Sequence, residues 1–461
     1  MKKTILKSVA MMALTSLVAG HATAESGIGG KNEAATPAPA APKESAGSGT
    51  TAGGAVAPTL KISGNTIQNI YVFTQKKHNN GKGKGVHFAN DVSDLLFLVS
   101  GMTSNGIGYK YKIAMDAFSN ASPVVDQNYV EFNTLLGTFQ LGGAVGPEDT
   151  MIKDASSIVT GAGAFDGGYY KVFNLSAFAM RGNDNIGDTG SATKFVYYTP
   201  EVYDLRFGVA YTPDTTHRGD SKADTNTIKG NPGVPGQRSF FPTNVIGLSN
   251  WAFGAAFKKE LGNWELNLTG SYIYSNNQLA ATTKSVAPLK LHHTKAFQLG
   301  TVIGYKFENG RLFQVGAGDL KNGKSALPKY NVTNANDYGA GYAGGFGNLY
   351  QGSSGRACNF GAAYTMGAYK VSGAYQHTHR RTDAHARAKN EVFSLAADVN
   401  PVTGLKFFSE LNRVLSKSNS AAVQLASDNA AGGPGSPRSV QTIPNIKNKG
   451  TVFIMGTKIS F

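Results

Sequence analysis

Thr451-Val-Phe-Ile-Met-Gly-Thr-Lys-Ile-Ser-Phe461, the last stretch of the chain, reads as a β-strand. Phe453, Met455, Ile459 and Phe461 share one parity and are apolar, while Lys458 and Ser460 point the other way. A period of two is what a strand with unlike faces produces. Chain termini fray unless they are held. Pairing with the first strand of a closed barrel holds a terminal aromatic and removes both edges of the sheet.

The same alternation recurs upstream. In Gly108–Asp116 the residues Tyr109, Tyr111, Ile113 and Met115 make one face and Lys110, Lys112, Ala114 and Asp116 the other. Tyr203–Tyr211 and Trp264–Tyr274 repeat it. Strand starts fall near Leu60, Asp94, Gly106, Asn128, Gly137, Thr193, Tyr203, Trp251, Gly262, His293, Gly310, Gly355, Gly367, Lys389, Thr403 and Gly450. That is about sixteen strands, an even number as single-chain outer-membrane barrels have. Short turns rich in Gly, Asn and Pro are predicted at 103–106, 133–137, 199–202, 258–262, 308–310, 366–367 and 400–403. Between them lie the longer segments 75–89, 119–126, 144–192, 213–249, 276–292, 319–354, 377–388 and 416–449. Long and short connections in strict alternation are the pattern of extracellular loops and periplasmic turns. Aromatic residues gather at strand ends, at Tyr197, Tyr203, Tyr211, Trp264, Tyr272 and Tyr274, as interfacial girdles require. The fold class is therefore all-β, an antiparallel transmembrane β-barrel of about sixteen strands occupying residues 59–461.

Two segments precede the barrel. Lys2, Lys3 and Lys7 stand before the apolar run Val9–Val18 and the small-residue site Ala22-Thr-Ala24, so residues 1–24 read as a secretory signal peptide. Residues 25–58 are rich in Pro, Ala, Gly and Ser and are expected to form a disordered periplasmic tether. Cys358 stands alone, which excludes an intrachain disulfide, and no cysteine follows the cleavage site to carry a lipid.

A hydrophobic fraction of 41% and a mean hydropathy of −0.22 resemble those of a soluble protein, but they equally suit a barrel with a wet lumen. Sixteen strands enclose a space too wide for side chains to fill. Parity then assigns faces. With aromatic and branched residues toward lipid, Lys110, Lys112, Glu131, Arg206, Lys370, Lys406 and Glu410 line the channel. The opposite assignment would put each Lys or Arg into hydrocarbon at about 2–4 kcal/mol near the midplane.

The segment Tyr129-Val-Glu-Phe-Asn-Thr-Leu-Leu-Gly-Thr-Phe-Gln-Leu-Gly142 resembles the strand, turn and strand before the constriction loop of general Gram-negative porins. Lys194–Asp214 is similar to the hairpin that follows that loop, and the chain's last strand resembles the signal that the barrel-assembly machinery recognises through Phe453, Met455, Ile459 and Phe461. The resemblance implies a homotrimer of barrels through which small hydrophilic solutes diffuse, each narrowed by an inward-folded third loop. Here that loop is 144–192, the longest connection. Its candidates for the constriction are Glu148, Asp149, Lys153, Asp154, Asp166, Lys171 and Arg181, acidic loop residues facing a basic wall across a transverse field. Porins of this type often carry a basic residue straight after the Leu-Gly of the fifth strand, where this chain has Gly143.

The precursor's net charge of +15 falls to +12 once Lys2, Lys3 and Lys7 leave with the leader. Basic residues at Lys76, Lys77, Lys82, Lys84, Arg380, Arg381, Arg387 and Lys389 make the mouth positive. A moderate preference for anions follows, along with contact with lipopolysaccharide. His377, His379, His385 and the pair His292-His293 sit beside arginines or in loops and read as solvated, so no metal and no cofactor is expected. No compact nucleic-acid module is present, and no Ser–His arrangement on the barrel rim suggests an enzyme. The alternative function is a surface adhesin acting through the loops 213–249, 319–354 and 416–449.

Overall fold

The computed structural model describes residues 55–76, 83–116, 124–175, 189–215, 245–279, 292–325, 354–381, 387–418, 421–424, 440–443 and 446–461. The leader, nearly all of the tether and the tips of the long loops lie outside these residues.

Antiparallel strands follow one another in chain order: β1 (Val56–Gln75), β2 (Lys84–Met102), β3 (Gly108–Asp116), β4 (Val124–Thr134), β5 (Gly137–Gly143), β6 (Thr193–Tyr198), β7 (Leu205–Asp214) and β8 (Val245–Leu261). The second half comprises β9 (Trp264–Leu279), β10 (Thr294–Lys306), β11 (Leu312–Lys321), β12 (Ser354–Met366), β13 (Tyr369–Arg381), β14 (Arg387–Val402), β15 (Leu405–Ser418) and β18 (Ile446–Ser460). Each pairs with its neighbours, and β18 pairs with both β15 and β1, so among the described residues sixteen strands close a barrel. Between β15 and β18 a separate two-stranded sheet is formed by β16 (Ala421–Gln424) and β17 (Val440–Ile443).

The closing seam runs from Asn65 opposite Ser460 to Gln75 opposite Gly450. The last residue is tied in: Phe461 N–H donates to Gly64 O and Gly64 N–H to Phe461 O, each at 3.0 Å. In hydrocarbon no water satisfies an unpaired backbone group, so this pairing permits the sheet to exist in a membrane at all.

Parity sorts the two faces. On β14 the outward residues Phe393 and Leu395 are exposed, while Asn390, Val392, Ser394, Ala396 and Asp398 on the other face are buried. Aromatic contacts form two girdles. At the short-turn end Phe139 meets Tyr197, and Trp264 meets Tyr305, which meets Phe307. At the long-loop end Tyr211 meets Trp251 and Tyr375 meets Phe393.

Several strands begin earlier than the sequence reading has them, β8 at Val245 rather than Trp251 among them, and the departures at β2 and at the β6–β7 turn have a clear cause. β2 begins at Lys84, ten residues before the predicted start near Asp94. Its first turnings, Lys84-Gly-Val-His-Phe-Ala-Asn-Asp, are polar enough to read as loop, yet they pair with β1 as far as Thr74. The ladder slips between Ile67 opposite Val92 and Gln68 opposite Asn90, leaving Asp91 as the extra residue of a bulge. The turn predicted at 199–202 lies further on, at Tyr203-Asp204, both of which have positive φ (51° and 63°). Two successive positive φ values define the hairpin turn whose twist matches the strands. Asp tolerates that conformation, and Lys259 forms an ion pair with the Asp204 carboxylate.

Deleting Phe461 removes two backbone hydrogen bonds worth about 0.5–1.5 kcal/mol each. The truncated barrel should unfold at lower urea than the full chain, read by tyrosine and tryptophan fluorescence or loss of heat-dependent gel mobility. An unchanged midpoint would mean that the seam does not depend on its last pair.

Candidate functional site

The third loop turns inward directly after β5 and follows the inner wall. Lys194 on β6, 1% exposed, clamps its two stems by donating to Ala144 O at 2.6 Å and to Gly190 O. A short helix, α1 (Pro147–Thr150), then passes β7 and β8. A Cβ at Gly208 would come within 2.7 Å of Pro147 Cβ and within 2.8 Å of Met151 Sδ, so the wall is stripped to glycine where the loop seats. Lys153 N–H donates to Thr269 Oγ1 on β9 at 3.0 Å, and a Cβ at Gly300 on β10 would stand 2.3 Å from Lys153 O.

The loop next crosses β11 and β12. Asp154 caps its own turn by accepting from Ser156 N–H at 2.8 Å, while Asn359 Nδ2 donates to the other carboxylate oxygen at 2.9 Å. Asn359 Oδ1 in turn accepts from Ala155 N–H at 3.2 Å. On β13, Ser372 Oγ accepts from Thr160 N–H at 2.9 Å, and the Thr160 hydroxyl donates to Asp398 on β14. The Glu410 carboxylate on β15 accepts from Ala162 N–H at 2.7 Å and Ala164 N–H at 2.9 Å. Ala164 carries a positive φ of 52°, so the chain is bent to bring both amides onto one oxygen.

Beyond that point the loop reaches β18, β1 and β2. Lys171 forms an ion pair with Asp91, the bulge residue, which also accepts from Tyr71 and Asn69. Gln75 Oε1 accepts from Asn174 N–H at 2.8 Å, and Asn448 Nδ2 donates to Asn174 O at 2.7 Å. From Ala144 to Asn174 the segment therefore touches the wall from β6 round to β1 and β2. It is a belt along the inner wall.

Apolar packing accompanies the polar anchors. Phe165, Tyr169 and Phe173 of the loop are buried with Tyr71, Val392, Phe408, Val414, Val452 and Ile454 of the wall. Ile158 sits against Val302 and Ala363, and Met151 against Val196, Ala210 and Ala252. Each fully buried side chain of this kind is worth about 1.5–3 kcal/mol. The side of the lumen that the loop follows is thus packed with buried side chains.

The residues assigned from sequence fall into three groups. Lys110, Glu131, Arg206, Lys370, Lys406 and Glu410 share the inner face with the loop-bearing positions, and Lys112 shares Lys110's parity. Lys110 Nζ bonds Glu131 at 2.8 Å, and Glu131 also accepts from Asn133 and Gln140, each at 2.9 Å. Lys406 pairs with Asp398 at 2.8 Å, and the Arg206 guanidinium lies 5.0 Å from the centre of the Tyr198 ring. Glu410 departs from the expectation of an open wall: it is 1% exposed, sheathed by the loop it holds.

In the loop, Glu148 and Asp154 are likewise buried rather than presented to the lumen, Glu148 accepting from Thr189 Oγ1 at 3.1 Å. Asp149 is half-buried beside them. Burial pushes the Lys153 ammonium down from its ordinary pKa, against a smaller upward pull from Asp154. Asp166 lies in a short 3₁₀ turn, its side chain outside the described residues, as is Arg181. The expected polarity, acidic loop against basic wall, is largely reversed: wall carboxylates at Asp91, Asp398 and Glu410 receive donors from the loop. Sequence reading missed Asp91, Asp398 and Lys194. Among the described residues no group of three or more His, Cys, Asp or Glu side chains converges as a metal site would need.

A closed sixteen-stranded barrel with an apolar outer band, paired aromatic girdles and an inward third loop defines an outer-membrane channel. Residues 8–415 match the family model of Gram-negative porins, and the chain belongs to that family. It is similar to an uncharacterized protein of Rickettsia prowazekii, 24% identical over 407 residues, covering 78% of this chain and 82% of that protein. An uncharacterized protein of Rickettsia typhi is 25% identical over 398 residues, covering 76% and 80%. Among solved structures, OmpT of Vibrio cholerae in its trimer form aligns with a TM-score of 0.51 at 9% identity, covering 88% of this chain and 100% of that one. An anion-selective porin from Comamonas acidovorans aligns with a TM-score of 0.50 at 12% identity over the same shares.

Replacing Glu410 by Ala leaves the Ala162 and Ala164 amides buried without their acceptor, at about 1–3 kcal/mol for each. The Glu410→Ala barrel should remain folded while its third loop becomes open to protease and its single-channel current noisier. Glu410→Gln keeps one acceptor oxygen and should show a smaller change in both.

Proposed function

We propose that this channel is a diffusion porin for small hydrophilic solutes with a moderate preference for anions, assembled as a homotrimer and not acting as an enzyme. The observation that carries the preference is the use made of the inner carboxylates. Glu410 is bound to two loop amides, Asp398 to Thr160 and Lys406, Asp91 to Lys171 and Tyr71, and Glu131 to three donors. These four are engaged in internal bonds, Asp94 and Asp116 stand opposite each other on the same inner face, and Arg206 and Lys370 add positive charge to it. A field of that sign at a narrow passage lowers the barrier for anions and raises it for cations.

The belt supports passive diffusion rather than gated passage. It is anchored to the wall at many separate points, so opening it would break buried hydrogen bonds and apolar contacts together. The homotrimer rests on membership of the porin family and likeness to the Vibrio OmpT trimer. The leader at 1–24 and the periplasmic tether at 25–58 complete the proposal, with insertion directed by the strand that ends at Phe461.

Planar-bilayer recording of the refolded mature protein tests this reading. Steps in threes, and a reversal potential biased to chloride across a KCl gradient, are the expected result. Arg206→Gln combined with Lys370→Gln should then move the permeability ratio toward cations by at least about a factor of two. A folded protein with no conductance would overturn the channel reading and move function to the long loops.

A further inference from the structure

β2 is apolar at five consecutive positions, Leu95-Leu-Phe-Leu-Val99. Leu95, Phe97 and Val99 face lipid, which turns Leu96 and Leu98 into the lumen on the same face as Asp94 and Ser100. Contacts fix that face as the inner one. Asn65 Nδ2 donates to Asp94 Oδ2 at 3.3 Å, and Ser100 stands opposite Lys110, whose ammonium bonds Glu131. On β18 the same double-sided pattern is explained by the belt, under which Val452 and Ile454 are fully buried. The belt does not explain it on β2. Its anchors named above lie on β6 to β15, β18, β1 and the upper part of β2, where the bond is to Asp91. Leu96 and Leu98 lie five and seven residues further toward the periplasmic turn and are half-buried. Apolar side chains that line a wet passage without a cover offer a surface to a solute.

We infer that this strip binds short zwitterionic peptides on their way through the pore, a step that rests on the reading of the barrel as an open diffusion channel. The charges at its two ends choose that occupant. Toward the loops the strip ends at Asp94, directly opposite Asp116 on β3. Toward the periplasm it ends at Leu98, which stands between Lys61 on β1 and Lys112 on β3. Between these levels Leu96 is flanked by Ser63 and Ala114. Tyr129 on β4, opposite Lys112, continues the inner wall at the periplasmic end. Two carboxylates at one end and two ammonium groups at the other leave the strip neutral as a whole and give it a direction.

Length sets the size of the solute. Asp94 and Leu98 are four residues apart, about 14 Å at ~3.4 Å per residue. The ammonium and carboxylate of a single amino acid sit on one carbon and cannot reach both ends. An organic anion with an apolar tail would meet Lys61 and Lys112 but would lay that tail against Asp94 and Asp116, which desolvates charge without compensation. An extended peptide of three or four residues covers about 10–14 Å at ~3.3–3.6 Å per residue. Its amine then meets Asp94 and Asp116, its carboxylate meets Lys61 and Lys112, and its side chains lie on Leu96, Leu98 and Ala114. Ion pairs in contact with water are weak, so the strip slows a peptide without trapping it, as passage through a pore requires.

Single-channel recording of the refolded mature protein in KCl tests the inference, with the tripeptide Ala-Leu-Ala as probe in three forms: free at both ends, N-acetylated, and both N-acetylated and C-amidated. The free peptide should interrupt the current for at least about threefold longer per event than either capped form. Leu96→Ser combined with Leu98→Ser should shorten those interruptions at least about threefold, in a channel whose current without peptide shows that it is folded and open. Equal interruption by the three forms, or none, in a conducting wild-type channel would overturn the inference and leave the diffusion-porin reading standing. Interruptions by the N-acetylated anion as long as those by the free peptide would overturn it in favour of an organic-anion site. A conducting double variant with unchanged interruptions would also sink it. If the double variant does not refold, the comparison of the three peptides on the wild type decides alone. A folded wild-type protein that carries no current would overturn the channel reading, and this inference with it.

Discussion

A sheet in hydrocarbon can leave no edge, because its unpaired amides and carbonyls find no water there. The antiparallel pairing of β1 with β18, completed by Gly64 and Phe461, is the consequence on which everything else rests. Closure at sixteen strands produces a lumen too wide to fill with wall side chains. The same rule then applies to what enters the lumen. A loop laid along the wall brings its own backbone polar groups, and those facing the wall need partners from it. Glu410, Ser372, Asn359 and Thr269 supply acceptors at successive stations along 153–164.

This arrangement links packing to electrostatics. A carboxylate that accepts two loop amides, as Glu410 does, is sheathed by the loop it holds. Anchoring the belt with acids rather than bases ties Glu410, Asp398 and Asp91 to donors of the loop. The aromatic residues of the second half of the belt, Phe165, Tyr169 and Phe173, extend the effect sterically by filling the side of the lumen under β14, β15, β18 and β1.

Much of this was legible in the sequence. Parity placed Lys110, Arg206 and Lys370 on the inner face, and the alternation of long and short connections gave the barrel and its strand number. The loop's path was not legible, because it depends on which glycines share a level around the barrel, and that follows from strand tilt and register rather than from spacing. Gly208, Gly300 and Gly316 are ordinary strand glycines until the loop is seen against them. One signal was available. Val452-Phe-Ile-Met455 is apolar at consecutive positions, so β18 cannot face lipid on one side and water on the other; Val452 and Ile454 are fully buried under the loop. The Asp91 bulge had no such signal, since an inserted residue resembles the polar loop reading that also hid the start of β2.

The third loop is held to the wall at Glu410. Residue-resolved hydrogen exchange of the refolded protein reads the Ala162 and Ala164 amides directly. Exchange slowed by on the order of a hundredfold or more relative to an open loop is the expected result, with protection lost in Glu410→Ala. Exchange of both amides at the rate of a solvated loop in the wild-type barrel would contradict it.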